Sequence, residues 1–366
     1  MRVTLISLWP RGAMLHYACQ LANALAESEQ VEITILLPCG SETHLLTAAV
    51  QRSFADVALH GGRRHVLGNL RRLLRLGDLL RAIRRSRPDV IHVNSSHPLL
   101  IAALPLLSRG HLIFATVHDL QPHPGEHTLR KQLERWVVLR YARRIAVHSQ
   151  QLKDGLLTLC PGRRPEDVVI TPHGDYGFYG SVDHPPAPAR PTVLFFGRIL
   201  SYKGLEYLLQ AAPQVRLRVP DVHFVIAGEG DMSPYAALLT DPSLVEVKNG
   251  YIPDEEVGKL FRHASLLALP YVEASWSGII GIARSFSLPI VATQVGCLPE
   301  AVEDGKVGLV VPPRDVPALA NAIVRILSDQ ELRHRLALGS RAARNAGGGW
   351  DRAARCLVDA YVAMGS

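Results

Sequence analysis

The chain has 366 residues, of which 48% are hydrophobic and 20% are charged. This length predicts two domains of roughly 100–200 residues each, and the composition excludes a disordered or low-complexity protein. No stretch of about 18 uncharged apolar residues occurs, so the sequence predicts no transmembrane helix and a cytoplasmic location. The net charge of +7 belongs to residues 1–188, which hold 22 basic and 15 acidic residues, whereas residues 189–366 hold 18 of each.

Apolar strands alternate with helices through the first half of the chain. The predicted strands are Val3–Leu8, Val31–Leu37, Asp89–Asn94, His111–Val117, Arg144–His148 and Val168–Thr171. The predicted helices are Ala13–Ala26, Leu70–Arg85, Pro98–Leu107 and Leu129–Ala142. Strands that are apolar throughout and alternate with helices indicate a parallel, doubly wound sheet of the α/β class.

A proline-rich segment interrupts this pattern, with four prolines between residues 181 and 191. The alternation then restarts and continues through strands at Thr192–Phe196, His223–Ala227 and Leu266–Leu269. We therefore predict an N-terminal Rossmann-like domain at 1–183, a linker at 184–191 and a second Rossmann-like domain at 192–347. An amphipathic helix at 348–366 follows and is expected to pack back on the N-terminal domain.

The first strand of the second half ends in a glycine that is followed by two cations, Gly197-Arg198 and Lys203. Glycine lets a ligand approach the backbone, and Arg and Lys both bind phosphate. We expect both cations to be exposed beside an anionic ligand. The alternative interpretation is a pair of solvated surface cations.

A second motif, Glu273-Ala-Ser-Trp-Ser277-Gly278-Ile279, lies between a strand and a helix. Backbone N–H groups at such a helix start can bind an anion, and Glu273 can accept hydroxyl hydrogens from a sugar. The alternative is an N-cap serine beside a solvated glutamate.

Two further candidates follow strands of the first half. His118 lies in the phrase Thr116-Val-His-Asp119 at the end of a strand, and Gly12 lies in the turn after the first strand. A metal site made of His118, His123 and His127 is an alternative, but the prolines and glycine between them disfavour a common helix face. The turn at Gly12 lacks G-x-G-x-x-G, which counts against an NAD enzyme.

The whole chain resembles the retaining glycosyltransferases of family 4, also called group 1. In the second half the matching phrases are Gly197-Arg198…Lys203-Gly204, His223-Phe-Val-Ile-Ala-Gly228-Glu-Gly230, Asn249-Gly-Tyr-Ile252-Pro253, Gly296-Cys-Leu-Pro-Glu300 and Gly308-Leu-Val-Val-Pro312. In the first half they are Pro88-Asp-Val-Ile-His92, Thr116-Val-His-Asp119, Val147-His-Ser149 and Pro172-His-Gly174.

The resemblance implies a GT-B fold, with two Rossmann-like domains facing a central cleft, and a UDP- or GDP-sugar donor. It assigns the diphosphate to Arg198 and Lys203, and backbone contacts to Gly197, Gly228, Ser277, Gly278 and Ile279. It places Ile252 beside the base, His118 and Glu273 beside the donor sugar, and Gly12 beside the phosphate or sugar. It implies hexosyl transfer with retained anomeric configuration, without a metal or other cofactor.

One position departs from the family pattern. Many members carry a second glutamate eight residues after the first, and here Gly281 or Ile282 stands there. The pattern is that of a subgroup with E-A-S-x-S-G, and the ribose contact stays unassigned. Two competing functions follow: a non-catalytic relative that binds a sugar nucleotide or a partner, and a GT-B-like nucleotide-sugar epimerase.

The excess of basic residues in the first half bears on the acceptor. Cations alternate with apolar residues at 63–87 and 130–144, as in helices that lie on an anionic membrane. We therefore expect a glycan, lipid-linked or small-molecule acceptor, as in polysaccharide biosynthesis, and attachment to the inner face of the membrane as a peripheral protein. Apart from Trp136 and Tyr141, the residues between these cations include no aromatic side chains, so the sequence does not predict nucleic-acid binding.

Overall fold

A computed structural model describes residues 1–57, 66–120, 129–180, 190–274, 277–346 and 349–365, with side chains given from residue 74 onward in the second of these ranges. The described chain divides into two compact units, the first from residues 1–120, 129–174 and 349–365 and the second from 175–180, 190–274 and 277–346. The predicted linker falls mostly on residues 181–189, outside the described part. None of the described helices is long and apolar enough to cross a membrane.

The first unit is built on a seven-stranded parallel sheet. Its strands are β1 (Arg2–Ile6), β2 (Glu32–Pro38), β3 (Gln51–Ala55), β4 (Val90–Val93), β5 (Leu112–Thr116), β6 (Arg144–Val147) and β7 (Val168–Ile170). Its helices are α1 (Ala13–Ala26), α2 (Val66–Ser86), α3 (Pro98–Leu107), α4 (Leu129–Tyr141) and α5 (Gln150–Leu159). The order across the sheet is β3-β2-β1-β4-β5-β6-β7. Strand β4 is buried at every position, as expected for a parallel sheet covered by helices.

The second unit has a six-stranded parallel sheet. Its strands are β8 (Thr192–Phe196), β9 (His223–Gly228), β10 (Val245–Asn249), β11 (Leu266–Leu269), β12 (Ile290–Thr293) and β13 (Gly308–Val311). Its helices are α6 (Leu205–Arg216), α7 (Asp254–His263), α8 (Ile279–Ser285), α9 (Leu298–Val302), α10 (Val316–Ser328) and α11 (Gln330–Ala346). The order across the sheet is β10-β9-β8-β11-β12-β13. The predicted α/β class with two Rossmann-like sheets is therefore confirmed.

The chain ends in helix α12 (Gly349–Gly365), which belongs to the first unit. Leu357 and Tyr361 of this helix are fully buried in the same core cluster as Tyr17, Leu21 and Leu25 of α1. This helix therefore completes the core of the N-terminal sheet.

Each sheet changes its direction of winding at one strand. In the first unit β1 lies between β2 and β4, and in the second unit β8 lies between β9 and β11. Helices leave opposite faces of the sheet on the two sides of such a strand, which opens a crevice at the carboxyl edge where ligands bind. The topology therefore indicates where ligands bind. In the first unit the candidate residues follow β1 and β4, and in the second unit they follow β8 and β11.

Candidate functional site

In the second unit, the crevice between β8 and β11 holds a buried cation. Lys203 has only 7% of its surface exposed, although its motif predicts an exposed cation. Its Nζ lies 2.8 Å from the point that a Cβ on Gly197 would occupy and 5.4 Å from the centre of the Tyr271 ring. The expectation was wrong for Lys203. Gly197 has no side chain to fill the space next to it, so the ammonium group of Lys203 fits there, beside the ring of Tyr271. Arg198 is exposed as expected.

The surroundings of Lys203 change its acidity. Burial, and then repulsion from the nearby Arg198, lower the pKa of the Lys203 amine from 10.5 to about 7. Two cations that disfavour each other's charge form a site that an anion would stabilise, and strongly perturbed groups of this kind are concentrated at functional sites.

The loop after β11 forms the other wall. Tyr271 is 2% exposed, and its hydroxyl lies 3.5 Å from Oγ of Ser277. Ile279, the first residue of α8, brings its Cδ1 to 3.0 Å from the Cβ position of Gly197. The structure thus brings Gly197, Lys203, Ser277 and Ile279 together, as the two motifs require. Gly278 caps α8, and Glu273 is exposed in the bend before it.

Gly228 ends β9 and packs directly on the β8 loop. Its φ is +148°, and a Cβ there would lie 2.1 Å from the carbonyl oxygen of Gly197. Only glycine fits such a backbone approach without a shift. Gly228 therefore shapes the loop that carries the two cations.

Ile252 follows β10, which is two strands away from β8. Its side chain is partly buried and packs on the core cluster that contains Tyr271 and Phe261. In α8, positions Gly281 and Ile282 carry no carboxylate, and the first turn of this helix has no acidic residue. The structure therefore assigns no acidic ribose ligand to α8.

In the first unit, Gly12 is the N-cap of α1, with a φ of +80°. A Cβ added to Gly12 would meet no atom of the described residues within 4 Å. The carbonyl oxygen of Gly12 accepts from the backbone N–H groups of Leu15 and His16, at 2.9 and 3.0 Å. The turn after β1 is therefore open at this point, as close approach of a ligand requires.

His118 lies just after β5 and belongs to a chain of polar contacts between strand ends. Its Nε2 is 3.3 Å from Oδ1 of Asn94, which follows β4. Its Nδ1 is 3.1 Å from Nε2 of His148, which follows β6. Nδ1 of His148 in turn lies 3.2 Å from the carbonyl oxygen of Thr171, after β7. Four successive strands of the sheet thus each contribute one member.

The aromatic ring of Tyr17 holds these histidines in place. It packs edge-on against His118, with ring centres 4.8 Å apart, and also contacts His148 and His173. Burial lowers the pKa of His118, which the charge of Asp119 partly opposes. Burial and the neighbouring histidines lower the pKa of His148 well below its ordinary value. Both rings are therefore neutral at pH 7.

The alternative metal site combines His118 with His123 and His127, and the last two lie outside the described residues. Sequence reasoning missed Tyr271, Asn94 and the contact between His118 and His148. A usable signal was present, since each of these residues follows a strand closely at the carboxyl edge of its sheet.

Two family descriptions match this chain, one on each unit. Residues 16–175 match "Glycosyltransferase Family 4" and residues 190–329 match "Glycosyl transferases group 1". A D-inositol 3-phosphate glycosyltransferase of Pseudarthrobacter chlorophenolicus is 28% identical, covering 96% of this chain and 90% of its own length. An alpha-D-kanosaminyltransferase of Streptomyces kanamyceticus is 34% identical over 40% of this chain, and that match spans 39% of the relative's length.

Solved structures share the fold along the whole chain. Sucrose-phosphate synthase of Thermosynechococcus elongatus has a TM-score of 0.77 at 20% identity, with 99% of this chain and 98% of that one covered. Anabaena HepE in complex with UDP has a TM-score of 0.73 at 17% identity, with 99% and 100% covered. The fold and the two family matches together identify the chain as a GT-B glycosyltransferase of the family-4 type.

Proposed function

We propose that the chain transfers a hexosyl group from a UDP- or GDP-sugar to an acceptor hydroxyl, with retention of the anomeric configuration. The observation that carries this proposal is the cation pair at the β8–β11 crevice. The buried Lys203 contacts Gly197, and the exposed Arg198 lies close enough to lower the pKa of Lys203. A diphosphate fits the charge of this pair. Relatives support the donor class, since one is a GDP-mannose-dependent mannosyltransferase and HepE is known with UDP-glucose.

In the proposed reaction, the bond between the sugar C1 and the diphosphate oxygen breaks while the acceptor oxygen bonds to C1 on the same face. The acceptor proton passes to the departing phosphate oxygen. Arg198 and Lys203 stabilise the negative charge that develops on the leaving diphosphate. The donor is bound by Gly12, Gly228, Ile252, Ser277, Gly278 and Ile279. Its sugar contacts His118 and Glu273.

The kinetic test compares Arg198→Ala and Lys203→Met with two controls in the same unit, Arg218→Ala and Lys259→Met. Methionine suits position 203 because it fills the buried space of the lysine stem. We expect each test variant to lose about 10²–10³-fold in transfer rate, as when one charge-stabilising donor is removed, while both controls keep the wild-type rate. Wild-type turnover in folded Arg198→Ala would falsify the assignment of the diphosphate site.

The competing functions predict other products from the same assay. A non-catalytic relative would bind the nucleotide sugar and release neither product nor free nucleotide. An epimerase would convert the donor sugar without an acceptor. Transfer to an acceptor, which we expect, excludes both.

We also propose that the reaction needs no metal, because the two cationic side chains supply positive charge at the diphosphate. EDTA should therefore leave the transfer rate unchanged. If EDTA abolished transfer and Mg²⁺ or Mn²⁺ restored it, this proposal would fail.

For the acceptor, we propose a lipid-linked or anionic glycan at the inner face of the membrane. Helix α4 exposes Leu129, Leu133 and Trp136 at 85%, 57% and 59%, and these residues share one face because they are spaced by four and three positions. Lys131 and Arg140 lie exposed on the same helix. An apolar face with exposed cations complements an anionic bilayer.

Flotation with anionic liposomes tests this surface. We expect the wild type to float at low salt and less at high salt, and Leu129→Ser/Leu133→Ser to remain at the bottom. Leu217→Ser is the matched control, since Leu217 is also 85% exposed but lies in the second unit. Absence of flotation by the wild type would overturn the membrane proposal and favour a small soluble acceptor.

A further inference from the structure

We propose that His148 is a positioning residue that fixes the tautomer of His118, with the proton on Nδ1 and the lone pair on Nε2. The histidine would then accept a hydrogen bond from a hydroxyl of the donor sugar. This inference deepens the proposed function and rests on it, because His118 is there assigned to the sugar.

The carbonyl oxygen of Thr171 determines which nitrogen of His148 carries the proton. A carbonyl oxygen can only accept, so Nδ1 of His148, at 3.2 Å, must carry the proton of that hydrogen bond. The position of Thr171 is fixed by the sheet, because its N–H donates to the carbonyl oxygen of Val147 at 2.9 Å. His148 is thus held by the end of β7.

The rings of His148 and His118 are both neutral. A neutral imidazole carries one proton, so Nε2 of His148 presents a lone pair. It lies 3.1 Å from Nδ1 of His118, which must therefore be the donor. The proton of His118 is used in this contact.

The remaining ring nitrogen of His118 is Nε2. Nε2 of His118 then has a lone pair and needs a donor, but in the structure it faces Oδ1 of Asn94 at 3.3 Å, and Nδ2 of Asn94 donates to the carbonyl oxygen of Met14 at 3.4 Å. The backbone carbonyl of Thr171 cannot turn, whereas the side-chain amide of Asn94 can. This tautomer of His118 therefore requires the amide to rotate and give up its long hydrogen bond to Met14. The amide NH₂ of Asn94 can supply that donor before the substrate binds, and a sugar hydroxyl can replace it afterwards. The edge-on contact with Tyr17 keeps the ring plane of His118 fixed in both cases.

The test compares two replacements of His148 that separate hydrogen bonding from packing. In His148→Gln, the side-chain oxygen can still accept from Nδ1 of His118. In His148→Phe, the aromatic ring still packs on Tyr17 but accepts nothing. We expect His148→Phe to lose about 10- to 100-fold in kcat/KM and His148→Gln to lose less. A residue that only fills space predicts the opposite ranking, which would overturn the proposal.

Nitrogen-15 NMR of labelled histidines gives a readout that does not depend on activity. We expect His118 to be protonated on Nδ1 in the wild type and to shift toward the Nε2–H form in His148→Phe. An Nε2–H form in the wild type would overturn the proposal even if His148→Phe failed to fold. His111→Phe is the control, because His111 lies at the opposite end of β5 and contacts the carbonyl oxygen of Pro88. A wild type that transfers no sugar but shows the Nδ1–H form would count against the proposed function alone.

Discussion

Lys203 links acid–base chemistry to ligand binding at the scale of a single residue. The amine has a pKa of about 7 in the folded protein, because burial and Arg198 both disfavour its charge. A diphosphate favours the charged amine, so donor binding above pH 7 should draw a proton from solution. We expect the dissociation constant for the nucleotide sugar to rise from pH 7 to pH 9, and to rise less in Lys203→Met. Calorimetry in two buffers of different ionisation enthalpy measures the uptake, and equal uptake by both proteins would contradict this role.

The same pKa has a consequence for stability. Between pH 7 and 10.5 the unfolded chain binds a proton that the folded chain lacks, so the stability of the folded state rises with pH in this window. The free-energy cost of burying the charged Lys203 amine is fully present below pH 7 and decreases as the pH approaches 10.5. Lys203→Met should therefore be more stable than the wild type at pH 6.5, by a margin that shrinks as the pH rises. Urea unfolding at pH 6.5 and pH 9.5 measures the margin, and a constant difference between the two proteins would argue against the lowered pKa.

Two glycines can be compared to test the close contact between Gly228 and the backbone of Gly197. Gly228 and Gly250 have φ values of +148° and +152°, but of these two only Gly228 would bring a Cβ against another atom, the carbonyl oxygen of Gly197 at 2.1 Å. Alanine at Gly250 should cost about 1–3 kcal/mol of stability from backbone strain alone. Alanine at Gly228 should cost more and should also weaken nucleotide binding. Thermal melts with and without UDP measure both effects, and equal losses in the two variants would count against the close approach.

At the scale of elements, helix α12 is tied to the sheet by a buried hydrogen bond. The hydroxyl of Tyr361 lies 2.6 Å from Nδ1 of His92, and Nε2 of His92 lies 2.8 Å from Oγ1 of Thr116. Burial and the nearby His118 lower the pKa of His92 to about 3, so its ring is neutral.

Removing that hydroxyl should leave a buried nitrogen of His92 without its partner. Tyr361→Phe is therefore expected to cost about 1–3 kcal/mol. Tyr251→Phe, at a residue that is 40% exposed, serves as the control and should leave the melting temperature unchanged. Urea unfolding followed by circular dichroism measures the difference, and similar midpoints for the two variants would mean that the hydrogen bond contributes little.

Most elements could be predicted from the sequence because their apolar runs are long and uniform. Strand β3 could not, since Gln51–Ala55 has no apolar run and Phe54 is 45% exposed. It is a strand because it pairs with β2 at the edge of the sheet. Helix α5 was also missed, although Ser149 caps it by accepting from the N–H of Leu152 at 3.1 Å.

The site was predictable to the extent that it depends on motifs along the chain. The two cations and the serine–glycine turn follow strands β8 and β11, and parallel topology brings them to one edge. The burial of Lys203 was not predictable, because it depends on a ring from another loop and on the close packing of Gly197. The contact between His118 and His148 depends on the register of β5 and β6, which sequence patterns do not report.

At the scale of the whole molecule, two Rossmann-like units carry different parts of the proposed chemistry. The second unit holds the cation pair, and the first unit holds the histidine chain and the exposed apolar face of α4. This division follows the charge distribution, because the excess of basic residues lies in residues 1–188, which include α4.

Thermal stabilisation by a panel of UDP-, GDP- and ADP-sugars, measured for the wild type and for Arg198→Ala, tests whether the cation pair binds a nucleotide sugar. Ligand at 100 times its dissociation constant adds about 2.7 kcal/mol of stability, which raises the melting temperature measurably. We predict that at least one nucleotide sugar stabilises the wild type and does not stabilise Arg198→Ala. Without ligand, the two proteins should have the same melting temperature. If no member of the panel stabilised the wild type, or if both proteins were stabilised equally, the cation pair would not be the nucleotide-sugar site.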